Sequence, residues 1–186
     1  MARALVYLAL TLGPLGLLLG GRREARRGPW ADLLRGALPG GVLAAVATLS
    51  GGYGWTAAGW VGALTLAYGW AWCGIWALLG RKRLAIVLIA CLVPLPVATT
   101  FAPNAVVESR PGELIHDVAP VVLVHLNPVV VVGTRFLEDP VLVTHYFYHQ
   151  ARAPVPAAWR VLVLYLAVGA LGLLRLGRTL TNSSIE

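Results

Sequence analysis

The sequence predicts an all-α integral membrane protein, a polytopic helical bundle with about five full spans and one re-entrant or interfacial segment. Three observations predict it. Residues 84–102, LAIVLIACLVPLPVATTFA, carry no charge and follow directly on Arg81-Lys82-Arg83. As a helix, a run of that length crosses about 30 Å of hydrocarbon. Hydrophobic residues make up 58% of the 186 and charged residues 12%, against roughly 25% charged in an ordinary soluble domain. So few charges cannot cover a water-facing surface. Comparable apolar runs also recur along the chain, so the bilayer is its main solvent.

Taken in order, the predicted full spans are 4–20, 37–54, 55–80, 84–102 and 157–174, with a partial one at 118–133, all within a single transmembrane domain over 1–186. The run at 4–20 reads as a retained helix, because only Arg3 precedes it and no small-x-small cleavage site follows. Gly51-Gly52-Tyr53-Gly54 marks a tight turn between the second and third helices. The segment 118–133 holds Pro120, Pro128 and a set of valines, Val129 to Val132 among them, which is poor helix material. Parity also argues against a full span there. If 84–102 exits to the outside, 157–174 must begin outside for Arg175 and Arg178 to be cytoplasmic. A re-entrant backbone meets that condition where protein or water satisfies its polar groups.

The net charge is +7, yet ten of the fifteen basic residues lie in three clusters beside apolar runs: Arg22 to Arg35, Arg81 to Arg83, and Arg175 with Arg178. Basic charge placed in this way is a topology signal facing anionic headgroups. The expected partner is therefore the lipid bilayer, not nucleic acid. The expected location is a prokaryotic inner (cytoplasmic) membrane, with 21–36, 81–83 and 175–186 on the cytoplasmic side. Cys73 and Cys91 both fall inside apolar runs and read as buried free thiols.

Few residues suggest chemistry. Gly59, Ala63, Ala67 and Ala71 recur every four residues, a small-residue stripe that permits close helix packing in lipid. His145 and His149 are spaced i, i+4, and His116 and His125 lie elsewhere in the same half. The stretch His-Tyr-Phe-Tyr-His reads better as an amphipathic surface segment than as a metal site. Glu138-Asp139-Pro140 is the only adjacent acid pair, and before a proline it reads as a turn signal. No Walker A, Gly-x-Ser-x-Gly or His-Glu-x-x-His motif occurs. The expectation is a non-enzymatic chain with no catalytic residues, no cofactor and no metal. In the arginine-rich loop, Pro29 can start a short helix at Trp30 to Leu34.

Several short motifs resemble the ABC-2-type permeases, the membrane subunits of ABC exporters. RREARRGPWADLLRGALPG (22–40), with Leu33-Leu34 and Pro39, resembles the family's coupling stretch in the first cytoplasmic loop. WCGIWALLGRK (72–82) resembles the cytoplasmic end of its fourth helix. Leu126-Asn127-Pro128 resembles the approach to its outer re-entrant hairpin, with 134–156 as the remainder. The family's first helix and cytoplasmic N-terminal segment have no counterpart. The resemblance implies a permease-like subunit of an ABC-type export complex, whose loop meets an ATP-binding subunit through Trp30, Leu33, Leu34, Arg26 and Arg27. The alternative is an accessory or scaffolding subunit of a larger membrane protein complex, respiratory, photosynthetic or other, with the small-residue stripe among its contacts.

Overall fold

A computed structural model of the protein describes residues 1–10, 37–92, 127–139 and 157–182, side chains of 80–92 and 175–182 aside. These residues are all-helical, with no strand among them. Five helices carry them: α1 within 2–10, α2 Leu38–Ser50, α3 Gly54–Leu92, α4 Pro128–Arg135 and α5 Ala158–Asn182.

Proline opens α2 at its first turn, where its missing N–H costs nothing. Two glycines close it. The amides of Gly51, Gly52 and Tyr53 donate to the carbonyls of Ala47, Leu49 and Thr48, which consumes acceptors that the last turn leaves open. Gly52 and Gly54 have φ of +80° and +84°, conformations that cost a side-chain-bearing residue energy. The chain therefore reverses within three residues, and α3 returns along α2.

The relative directions follow from the contacts. Gly62 lies against Ala45 and Gly69 against Ala37, so α2 and α3 are antiparallel. Gly51 meets Ala2 and Gly40 meets Ala9, so α1 is antiparallel to α2. Trp70 meets Leu166 and Gly74 meets Gly169 and Gly172, so α5 runs parallel to α3. One end, the head, gathers the start of α1, the α2–α3 turn and the end of α4. Toward the opposite end, or tail, run the backbones bearing Arg81 to Arg83 and Arg175 with Arg178. Residues 10 and 37 also lead there, and Arg22 to Arg35 fall in the stretch that joins them.

The expected break between 55–80 and 84–102 is absent. α3 continues through Arg81-Lys82-Arg83 to Leu92, 39 residues in all, or about 58 Å. Arginine, lysine and leucine are good helix formers, and no proline falls between Gly54 and Leu92. Basic residues that mark a membrane boundary need not bend a helix. With no reversal at 81–83, parity no longer requires 118–133 to be re-entrant. Residues 93–102 of the expected span lie outside the described residues.

α2 is also shorter than 37–54. Its 13 residues cover about 20 Å, because the two glycines end it at Ser50. Among the described residues, one helical stretch is long and apolar enough to cross a membrane, Gly54–Leu79, with mean hydropathy 1.3.

α4 is an eight-residue helix, about 12 Å long. Asn127, in extended conformation, caps it by accepting the Val129 amide at 3.0 Å, and Pro128 occupies the first turn. A continuous helix through 118–133 is thereby excluded, because the chain is not helical at Asn127. Valines are weak helix formers, but Val130, Val131 and Val132 are wholly buried, and that burial outweighs the propensity deficit.

Candidate functional site

Large apolar side chains on α2 and α5 are exposed, some on outward faces and some, Leu38 and Leu166, at the mouth of a groove between the helices. On α2, Leu38, Val42 and Val46 form a stripe at i, i+4, i+8, with Val42 58% exposed. On α5, Trp159, Val163, Leu166, Leu171 and Leu174 are exposed, Leu171 at 64%. The inward face of α2 is made of small residues, Gly40, Gly41, Ala44, Ala47 and Thr48, whereas that of α5 buries Val161 and Tyr165 beside Gly169 and Gly172. On α2 this arrangement is the reverse of that in a water-soluble domain, whose exposed apolar patches are limited, while Leu64, Tyr68, Trp72 and Tyr165 of α3 and α5 are buried in the core.

Glycine sets how closely the helices approach. A Cβ placed on Gly74 would lie 2.6 Å from the Gly169 Cα and 2.6 Å from the Val168 carbonyl oxygen. Gly172 meets the Gly74 backbone from the other side. No side chain fits at this crossing, so α3 and α5 touch backbone to backbone. On the α2 side, Gly62 and Gly69 play the same part against Ala45 and Ala37. Above the α3–α5 crossing, an apolar groove of about 370 Å³ opens between α2, α3 and α5, lined by Leu38, Ala63, Leu66, Ala67, Trp70 and Leu162.

The predicted stripe is divided by this geometry. Ala67 and Ala71 are buried, Ala63 lines the open groove, and a Cβ on Gly59 would meet nothing within 4 Å. Of the glycines at closest approach, Gly74 shares the face of Ala67 and Ala71 and meets α5, whereas Gly62 and Gly69 lie on another face of α3 and meet α2. A sequence signal for the partner surface exists in Gly169-x-x-Gly172 on α5. Trp30, Leu33, Leu34, Arg26 and Arg27 lie outside the described residues, as do His116, His125, His145 and His149.

The head is polar and went unnoticed in the sequence. Arg3 Nε donates to Tyr53 Oη at 2.8 Å and to the Leu137 carbonyl at 3.2 Å. Its terminal nitrogen donates to the Glu138 carbonyl at 3.3 Å. The guanidinium also stands 6.0 Å from the centre of the Tyr53 ring, within cation–π range. Tyr7 donates its hydroxyl to Asp139 Oδ2 at 2.6 Å, which gives the buried carboxylate a strong partner. Glu138 is exposed beside it, with φ of +44°. The adjacent acid pair is thus split between two environments, Asp139 in a tertiary contact with Tyr7 and Glu138 at the surface. Phe136 stacks on Trp60 at 6.2 Å and 16°, fixing the end of α4 to α3.

Comparison with models of known families, with curated proteins and with solved structures yields no match. What the chain does must be read from its own residues.

Proposed function

We propose that the chain is a membrane-embedded, non-enzymatic subunit, the permease-like part of an ABC-type export complex in a prokaryotic cytoplasmic membrane. The observation that carries the membrane reading is the inverted packing: small residues face inward on α2, and Val42, Val46, Val163 and Leu171 face outward. In water, such faces would associate or aggregate. In lipid they cost nothing, and glycine-lined crossings supply the close contact that holds helices together there. The helix directions support the same reading, since the backbones bearing Arg81 to Arg83 and Arg175 with Arg178 both run toward the tail end, which on the positive-inside rule faces the cytoplasm.

Support for a permease-like part comes from the resemblance of the 22–40 loop to a coupling stretch. A further support is α4, a short buried helix started by Asn127-Pro128 ahead of the last long helix. The outward faces of α2 and α5 would equally seat neighbouring membrane subunits, which is the accessory-subunit reading. Extraction from native membranes separates the two. The protein should stay in the membrane pellet at alkaline pH, dissolve only in detergent, and bring an ATP-binding subunit with it. Recovery with other membrane subunits and no ATPase would favour the accessory role, and release by alkali would overturn both. On the permease reading, Trp30→Ala weakens the ATPase contact by about 2 kcal/mol, roughly 30-fold, at unchanged membrane insertion. Equal ATPase recovery with Trp30→Ala and with Leu34→Ser would reject the docking role.

A further inference from the structure

We infer that the head is a releasable clasp: Arg3 and Tyr7 hold the strap Leu137–Asp139 in a strained path, and its opening frees the end of α4 while the α3–α5 crossing stays closed. The contacts join three distant parts of the chain. Arg3 lies in the first turn of α1, Tyr53 in the α2–α3 turn, and the strap follows α4. Both contacts from Arg3 to the strap end on main-chain oxygens, those of Leu137 and Glu138. They therefore fix the backbone path whatever side chains the strap carries.

That path is not one the strap would choose alone. Glu138 has φ of +44°, a left-handed conformation that crowds the Cβ of any residue but glycine. Asp139 turns the chain back so that its own amide donates to the Gly133 carbonyl at 2.9 Å, and its carboxylate takes the Tyr7 hydroxyl. Opening the strap relieves the strain at Glu138 and forfeits the hydrogen bonds from Arg3 and Tyr7. Opening also exposes Leu137, which is wholly buried, so the side chains of Arg3 and Tyr7 add to that burial in holding the strap closed. The crossing of α3 with α5 is made at Gly74, Gly169 and Gly172, well below the head, and the atoms nearest these glycines belong to α3 and α5, not to the strap. The inference stands on this geometry and does not need the permease reading. If that reading holds, α4 is the element set free at the outer side.

The test uses the full chain in detergent or nanodiscs with Cys91→Ser and Leu137→Cys, and with native Cys73 as an internal reference. Leu137 is wholly buried and Cys73 nearly so, so maleimide reaction at either position reports opening. Adding Arg3→Gln should speed labelling of the Leu137→Cys thiol roughly tenfold and leave Cys73 unchanged. Adding Glu138→Gly should slow it, because glycine removes the strain that favours opening. Unchanged labelling with Arg3→Gln, or labelling of Cys73 that rises in step, would overturn the clasp, the second by showing general loosening. Should Leu137→Cys fail to fold, hydrogen exchange of the Arg3→Gln protein reads the same event. The Leu137 and Asp139 amides should then exchange faster and those of α5 should not, and uniform acceleration would count against the inference.

Discussion

The α3–α5 crossing and the head hold the same helices together by opposite means. At the crossing the Trp70 indole N–H donates to the Leu166 carbonyl at 3.2 Å, and elsewhere glycines leave almost no side chain between the helices. Gly74, Gly169 and Gly172 let two backbones meet, and the attraction is dispersion over a closely matched surface. At the head, contact is made by a guanidinium, two phenols and a carboxylate acting over sequence separations of up to 135 residues. Shape mainly holds the first contact, so an atom added at its glycines damages it. The second is held by directional groups, so it can be undone one hydrogen bond at a time. A membrane-embedded protein would gain a rigid seam from the one and an adjustable closure from the other.

The largest effect expected from this contrast is at the crossing. Gly74→Val forces two branches into a space where even a Cβ would lie 2.6 Å from the Gly169 Cα. It should destabilise the fold by about 3 kcal/mol, the upper part of the range for overpacking, read as lost cooperativity in thermal unfolding in detergent. A loss below about 1 kcal/mol would mean that the helices separate easily and that the seam is not rigid.

A polar contact away from the head should cost less. Asn127→Ala removes the side chain that accepts the Val129 amide at 3.0 Å, and the expected loss is about 1 kcal/mol. A much larger loss would show that α4 depends on its cap more than on the burial of its three valines. Gly59→Ala marks the small end of the scale. A Cβ there meets nothing within 4 Å, so the substitution should stabilise by roughly 0.5 kcal/mol through helix propensity. A loss would assign Gly59 a contact with residues outside the described ones.

The all-helical character was legible in the sequence because long apolar runs with few charges admit little else, and Gly51-Gly52-Tyr53-Gly54 announced its turn. The continuity of α3 was not. Arg81-Lys82-Arg83 signals a membrane boundary through charge, but those residues are strong helix formers, so a boundary signal was mistaken for a break. The small-residue stripe was read along one face of α3. Gly74 continues that face against α5, and the approach to α2 uses Gly62 and Gly69 on another, because α3 packs against α2 and α5 in two directions at once. The head was invisible for a different reason. Arg3 and Tyr7 reach Leu137, Glu138 and Asp139 through contacts that only the tertiary fold brings together, and no local pattern links them. The coupling-like loop, with Trp30, Leu33 and Leu34, falls outside the described residues, so that part of the candidate site still rests on sequence.

The central claim is that the large apolar faces of α2 and α5 contact lipid while the head contacts water, and nitroxide labels in reconstituted vesicles test it directly. Labels at Val46, Val163 and Leu171 should collide with oxygen, which concentrates in hydrocarbon, and be shielded from a water-soluble nickel chelate. A label at the exposed Glu138 should show the reverse. Equal access of the nickel chelate to all four positions would contradict the account, because it would place the outward valines and leucines in water.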